Sequence, residues 1–185
     1  MREIKFRAKR LDNGEWSYGS GLLIADDFCV IDTDTEMYID EEYDWAGNTH
    51  LFRVAGAMCD LKTLGQYTGF KDKNGKEIYE ADIIRYTDVN SHSVDHIGDG
   101  FTSYIEHWAT IRKDVVVFSY GTFLVNGSPL AWVGFDTIGD LKDCLGIPED
   151  EDCDVNGTII DESLLGIEVI SNIYDNKNLL GEVEL

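Results

Sequence analysis

Residues 152–163 contain a partial match to a calcium-binding loop. Asp152, Asp154 and Asn156 place oxygen-bearing side chains at loop positions 1, 3 and 5, and a glycine follows at position 6. Position 12, where a bidentate glutamate is expected, holds a serine. An acidic loop with an Asn-Gly turn explains the same residues and is the interpretation that we prefer. Calcium binding stays open as the alternative.

Two histidines, His92 and His96, stand close together with Asp95 and Asp99 beside them. On a helix, this spacing would place both imidazoles on one face, as in many zinc sites. The nearby glycines, serines and aspartates are instead typical of a loop, where a four-residue spacing does not bring the two side chains to the same face. We therefore expect no cofactor, with zinc at His92 and His96 as the alternative.

The sequence has no recognisable catalytic constellation. Its adjacent carboxylate pairs, Asp26–Asp27 and Glu41–Glu42, would point to opposite faces of a strand, which does not suit an acid–base pair. The chain also lacks G-x-S-x-G, Walker and G-x-G-x-x-G motifs. An enzyme therefore has no support from the residues, and a metal-dependent enzyme built on the two histidines is kept only as an alternative.

Aromatic side chains are abundant: the 185 residues include 4 Trp, 9 Tyr and 8 Phe. Such rings fill the cores of small β domains, and they also dominate the energetics of protein interfaces. We expect most of them in the core. The candidate partner-binding residues combine four rings with a run of carboxylates: Tyr43, Trp45, Trp108, Trp132, Glu149, Asp150, Glu151 and Asp152.

The formal net charge of −21 is unevenly distributed. Residues 1–85 carry 11 Lys+Arg against 17 Asp+Glu, a net −6, whereas residues 86–185 carry 4 against 19, a net −15. The negative charge repels nucleic acid and anionic membranes, so neither is expected as a direct partner. It favours solubility, and the acidic second half would also attract a basic host protein.

Short patterned segments predict mainly β structure, with a mixed α+β arrangement as the alternative. Ile4, Phe6 and Ala8 alternate with basic residues, as in a half-buried strand, and Asp12-Asn13-Gly14 is a hairpin signal. Residues 65–86 join a Lys-Asn-Gly turn, a Tyr-Glu-Ala-Asp corner and two brief apolar runs. Tight turns between brief strands are what a small, strongly bent barrel requires.

One helix is predicted at about residues 137–145. Asp136 or Thr137 can cap its start, Gly146 can end it, and a proline follows. The polar, glycine-containing stretch 88–100 predicts a loop, and Asn126-Gly127 predicts a second hairpin turn.

Four widely spaced cysteines form no C-x-x-C pair and are expected as reduced thiols. The N-terminus lacks the apolar region of a signal peptide, and no apolar run is long enough to cross a membrane. A cytoplasmic protein is expected.

Three blocks of the sequence resemble the YopX family of phage and prophage proteins. Residues 1–19 include MREIKFRA and GEWSYG, residues 65–84 read GQYTGFKDKNGKEIYEADII, and residues 168–180 read EVISNIYDNKNLL. The match departs from the family pattern at Ala81 and Ser171, where glycine is usual. The corner at Ala81 must therefore form without a residue that is free to adopt a positive φ.

The resemblance implies a small bent β-barrel with an SH3-like roll, self-association and no accepted catalytic residues. We accordingly expect an N-terminal β subdomain at 1–60 and a C-terminal SH3-like barrel at 61–185 that carries an acidic insertion at about 88–161. A basic strand face formed by Lys5, Arg7 and Lys9 could meet acidic segments of another copy, which would give a homo-oligomer.

The leading hypothesis is a non-enzymatic phage or prophage accessory protein that acts by binding. Its acidic surface would antagonise or redirect a basic host or defence protein. The alternatives are a protein that sequesters a small ligand or nucleotide between aromatic rings, and the metal-dependent enzyme described above.

Overall fold

The computed structural model describes residues 3–32, 37–43, 49–97, 101–135, 137–147, 154–155, 158–159 and 165–180. Short antiparallel strands dominate this part of the chain. In chain order they are β1 Phe6–Lys9, β2 Trp16–Gly19, β3 Leu22–Ile24, β4 Phe28–Ile31, β5 Met37–Tyr43, β6 Thr49–Ala55, β7 Ala57–Asp60, β8 Gly65–Lys71, β9 Glu77–Tyr79, β10 Asp82–Ile97, β11 Phe101–Ser119, β12 Thr122–Val125, β13 Ser128–Pro129, β14 Asp154–Val155, β15 Thr158–Ile159 and β16 Glu168–Asn172.

The helical elements are short. One α-helix, α1, spans Ile138–Leu145, and 3-10 helices span Leu61–Thr63, Leu130–Trp132 and Lys177–Leu180. None of the helices in the described ranges has the length and apolar character that a bilayer crossing requires.

The chain divides into two compact units. Unit 1 comprises Met1–Phe70 and Glu77–Glu80, and unit 2 comprises Lys71–Lys76 and Ala81–Leu185. The boundary expected between residues 60 and 61 stays a prediction, because compactness alone does not show which segments fold independently.

Unit 1 contains a four-stranded sheet in the order β2-β1-β8-β9, a three-stranded sheet in the order β3-β4-β7, and the separate hairpin β5–β6. Alternate residues of β1 and β4 contribute to its core, as the period of 2 in a strand requires. The core consists of Ala8, Cys29, Ile31, Ala57 and Cys59, with Phe6, Leu22, Leu61 and Leu64 packed against them.

Unit 2 contains a five-stranded antiparallel sheet in the order β13-β12-β11-β10-β16 and the small hairpin β14–β15. Its two central strands are long, and they pair continuously from Ile83 opposite Val115 to Ile97 opposite Phe101. β16 pairs only with the beginning of β10, and β12 pairs only with the end of β11.

Helix α1 packs on the sheet of unit 2 through one apolar face. Leu141 joins Ala109 and Leu165 in a buried cluster, and Ile138 and Leu145 pack against it. Thr137 caps the helix, because its Oγ1 accepts a hydrogen bond from the Asp140 amide at 3.1 Å. Gly146 ends the helix in the left-handed conformation, at φ 69°. The predicted helix is therefore confirmed, with Thr137 as its cap.

The mainly-β prediction is confirmed, whereas barrel closure and an SH3-like roll are not. In the described ranges the outermost strands of the two largest sheets, β2 with β9 and β13 with β16, do not pair, so these sheets are open. Closure needs a continuous, staggered ladder. The ladder between β1 and β8 has only two residue pairs, and β10 and β11 extend well beyond their outer neighbours.

The loop predicted at 88–100 is wrong for residues 88–97, which form the second part of β10. Their polar composition suggested a loop, but each of these residues has a pairing partner on β11. Ladder hydrogen bonds to a neighbouring strand override the weak β propensity of serine, asparagine and aspartate.

Candidate interaction surface

The Lys-Asn-Gly turn is organised by the carboxylate of Asp72. Its Oδ1 accepts hydrogen bonds from the amides of Asn74 at 2.8 Å and Lys76 at 2.9 Å. Its Oδ2 accepts one from the Val169 amide at 3.1 Å, and the side chain is only 6% exposed. Burial acts to raise the pKa of Asp72, but the hydrogen bonds from Val169, Lys76 and Asn74 together hold that pKa below its usual value.

The last block of the sequence is tied to this turn and to β10. Glu168 forms ion pairs with Lys73, at 3.5 Å, and with Arg85. Asn172 accepts hydrogen bonds from the amides of Tyr174 at 3.0 Å and Asp175 at 2.9 Å, which closes the turn after β16. These contacts give the patterned residues of unit 2 a structural role.

Ala81 adopts the left-handed conformation at the corner before β10. Its φ is 68°, its amide donates to the Val116 carbonyl at 2.8 Å, and its carbonyl accepts from the Ile173 amide at 3.1 Å. The corner is thus formed at a conformational cost that a glycine would avoid.

A cation–aromatic cluster occupies one face of the four-stranded sheet of unit 1. The Arg7 guanidinium lies 4.6 Å from the ring centre of Trp16 and 4.9 Å from that of Tyr79. Arg7 Nη2 also donates to the Glu80 carbonyl at 3.2 Å. Tyr79 contacts a further ring, Tyr67, at 5.4 Å between centres. Such contacts between cations and ring faces are strongest where water is excluded, and Arg7 is buried.

Glu77 joins this cluster to Lys5. Lys5 Nζ donates to Glu77 Oε1 at 2.6 Å, and the Tyr79 hydroxyl donates to Glu77 Oε2 at 2.7 Å. Burial, followed by the hydrogen bond to Glu77, raises the pKa of Tyr79 far above its usual value. The phenol therefore stays protonated and acts as a donor. Arg7 and Lys5 are thus engaged in contacts inside unit 1, and a homo-oligomer formed through the basic strand face stays a prediction.

The turn between β11 and β12 exposes an aromatic ring in an unusual backbone conformation. Tyr120 is 98% exposed, with φ 51°, and Gly121 follows with φ 80°. Two successive positive φ angles are the mark of a type I′ hairpin turn, in which glycine, asparagine and aspartate are preferred. A bulky residue is rare at the first position. Two residues before it, Phe118 is half-exposed and contacts the ring of Phe123, at 5.0 Å between centres.

Trp132 lies at the same end of this sheet. β12 runs away from the Tyr120 turn, and β13 runs back beside it, with Pro129 opposite Leu124. The 3-10 helix Leu130–Trp132 follows β13 directly, and Trp132 is 81% exposed. Leu130 is buried, so the helix is anchored while its tryptophan faces solvent. We call Phe118, Tyr120 and Trp132 the aromatic end of unit 2.

The other predicted binding residues are placed only in part. Tyr43 is the last residue of β5, and Trp108 lies on β11 opposite Asn90 of β10. The remaining five lie outside the described residues: Trp45, Glu149, Asp150, Glu151 and Asp152. Their role as a partner-binding set stays a prediction.

The predicted metal ligands are placed by backbone alone. His92 and His96 lie on β10, opposite Glu106 and Thr102, so their Cα atoms are about 13 Å apart along the strand. Asp154 begins β14, while Asp152 and Asn156 lie outside the described residues. Within the described part of the chain, no group of three or more His, Cys, Asp or Glu side chains is arranged to hold a metal ion. The calcium and zinc alternatives stay predictions.

From the sequence, Tyr120 is one of several aromatic residues that could line a recognition face, but it is not among the candidate partner-binding residues. The signal that could have identified it is the Tyr-Gly pair between two β-rich runs, since a glycine at the second turn position favours a two-residue hairpin. Asn126-Gly127, with φ 48° and 80°, is recognisable because asparagine is common at the first position.

The comparison with family profiles agrees with the pattern of the three blocks. The profile of the YopX protein family matches residues 5–181. A solved structure described as the crystal structure of protein EF1440 from Enterococcus faecalis covers 96% of this chain and 97% of its own chain, at 18% identity and a TM-score of 0.42. No curated protein matches the chain. Because the family profile covers nearly the whole sequence, this chain belongs to the YopX family.

Proposed function

We propose that this protein is a phage or prophage accessory protein that acts by binding a basic partner protein through the aromatic end of unit 2. The observation that carries the proposal is Tyr120, a fully exposed ring held at a positive φ. Antagonism or redirection of a host or defence protein is the role that such binding would serve.

Tyr120 contributes no packing that would compensate for its conformation. A residue other than glycine or asparagine at a positive φ costs about 1 kcal/mol, and such costs are concentrated at functional sites. The same sheet shows the unstrained solution one turn later, at Asn126-Gly127. A side chain kept at an energetic cost in an exposed turn is best explained by a contact that it makes with another molecule.

The residue types and the charge agree on the partner's chemistry. Tyrosine and tryptophan are the most frequent anchors of protein interfaces, and both are exposed at this end of the sheet. The half of the chain that contains them, residues 86–185, carries a net −15. A basic protein surface with an apolar pocket could bind the exposed tyrosine and tryptophan rings. It would also be attracted by the negative charge of this half of the chain.

The proposal is tested by site-specific photocrosslinking in host cells. A photoreactive phenylalanine analogue replaces Tyr120 in one variant and Asn126 in a matched control, which places it in the same turn type on the same sheet. We expect a discrete adduct with a basic protein from position 120 and none from position 126. The adduct yield should fall as the salt concentration rises.

A second measurement separates binding from folding. Tyr120→Asn should raise the free energy of unfolding by up to about 1 kcal/mol and abolish capture of the crosslinked partner. Equal adducts at both positions, or undiminished capture by Tyr120→Asn, would contradict the proposal.

Native mass spectrometry of the purified protein reports the copy number and any bound ligand or metal, and so tests the sequestering and metal-enzyme alternatives directly.

A further inference from the structure

Two cysteines lie directly opposite each other in the three-stranded sheet of unit 1. Cys29 on β4 pairs with Cys59 on β7, in a ladder that runs from Phe28 opposite Asp60 to Ile31 opposite Ala57. Opposed residues of antiparallel strands point to the same face, with Cβ atoms about 5 Å apart. Disulfides join cysteines whose Cα atoms are about 4.4–6.8 Å apart, a range that includes such a pair, and whose Cβ atoms are about 3.5–4.5 Å apart. The two Cβ atoms must therefore approach each other by about 1 Å when the bond forms.

Both side chains belong to the same buried cluster. Cys29 and Cys59 are each 0% exposed and pack with Ala8, Ile31 and Ala57. Both are free thiols, as is the exposed Cys144. The two sulfur-bearing side chains therefore share one small volume, in which the Cys59 thiol donates a hydrogen bond to the Ala57 carbonyl at 3.3 Å.

We propose that Cys29 and Cys59 form a redox-sensitive pair that oxidation converts into a cross-strand disulfide. With hydrogen peroxide as the oxidant, one thiolate attacks a peroxide oxygen and becomes a sulfenic acid as the O–O bond breaks. The second thiol then displaces water from that sulfur. In total two S–H bonds are lost, one S–S bond forms and two molecules of water leave, so the cysteines are oxidised and the peroxide is reduced.

The disulfide would close a covalent ring around a defined part of unit 1. The chain between Cys29 and Cys59 includes the whole hairpin β5–β6, and this segment also contains Tyr43 and Trp45. Closing a ring of this length constrains the unfolded chain and stabilises the folded one. Oxidation would thus fix the base of that hairpin.

Burial makes the reaction slow. It raises the pKa of Cys29, and with the neighbouring Cys29 it raises the pKa of Cys59 to about 11. The thiolate fraction at neutral pH is therefore small, and the reaction proceeds through transient opening of the sheet edge. The pair resists brief oxidative exposure and responds to sustained exposure.

The test uses the full-length protein in its native state and hydrogen peroxide as the probe. After sustained exposure, non-reducing peptide mapping should show a linked Cys29–Cys59 peptide, with a loss of about 2 Da that dithiothreitol reverses. The melting temperature should rise by several degrees on oxidation and return on reduction. Cys144→Ser should retain both effects, and Cys29→Ala should lose both.

The exposed Cys144 shows when the oxidant has acted. If Cys144 is fully oxidised after the sustained exposure while Cys29 and Cys59 both remain alkylatable after unfolding, the proposal is overturned. Linkage of either cysteine to Cys144 or Cys153 in place of the proposed bridge also overturns it. Because the mapping is done on the natural sequence, poor folding of a cysteine variant does not change the result of the test.

Discussion

At the scale of single residues, the patterned blocks of the chain owe their character to backbone geometry. Asp72 gathers three amide hydrogen bonds, and Ala81 turns the chain through a left-handed conformation. The Lys-Asn-Gly turn is predictable from its residue types. The bond from Val169 is not, because the two residues are 97 positions apart and no local pattern joins them.

Ala81→Gly should stabilise the protein. Glycine adopts φ 68° without the steric cost of a Cβ atom, so the free energy of unfolding should rise by about 1 kcal/mol. Ala109→Gly is the matched control: it is also buried, but it lies within β11, where glycine should cost about 1 kcal/mol. Denaturant unfolding measures both, and a destabilised Ala81→Gly would contradict the account of this corner.

Asp72→Asn should destabilise the protein by about 3 kcal/mol at neutral pH, because an amide cannot accept at both positions. The folded-state pKa of Asp72 is lowered, so its stabilisation is present above the unfolded value near 4 and is lost as the pH falls through the folded value. The stability gap between wild type and variant should therefore narrow in acid. Asp12→Asn, an exposed carboxylate paired with Arg10, should change stability little. A gap that is constant between neutral and acidic pH would count against this role.

At the scale of elements, short-range signals predict structure reliably and pairing partners are harder to predict. Helix α1 is predictable because its cap, apolar face and terminal glycine all lie within ten residues. The second part of β10 is not, because its polar residues form a strand only when β11 is beside them. The turn at Tyr120 escapes prediction for the opposite reason, since its residue type is disfavoured in the conformation that it adopts.

Gly19→Ala should be strongly destabilising, because the end of β2 packs tightly against the chain after β4. A Cβ atom at Gly19 would lie 2.0 Å from the Asp32 carbonyl oxygen, so the backbone must shift. We expect a loss of about 3 kcal/mol in the free energy of unfolding. Gly139→Ala on helix α1 meets only the Thr137 hydroxyl, at 3.6 Å, and should instead gain about 1 kcal/mol. Equal changes in the free energy of unfolding for the two variants would show that the close contact between residue 19 and Asp32 does not determine stability.

At the scale of the whole molecule, the large negative charge lowers the stability of the folded protein but favours binding to a basic partner. A net charge of −21 produces self-repulsion that is greater in the compact state than in the unfolded chain. Added salt should therefore raise the melting temperature while it weakens capture of a basic partner. Thermal unfolding in a series of sodium chloride concentrations measures the first effect, with potassium chloride as the control for specific ion binding. A melting temperature that falls with both salts would contradict it.

The hydrogen bond between Asp72 and Val169 also sets an order of events during synthesis. β10 and β11 are neighbours in sequence, so their ladder can form as soon as both have left the ribosome. The turn at Asp72 emerges far earlier, yet its carboxylate lacks one of its donors until Val169, 97 positions later, has been translated. The Asp72 carboxylate is therefore expected to stay hydrated on the nascent chain until β16 emerges, so the native contacts around this turn are completed late in the synthesis of unit 2.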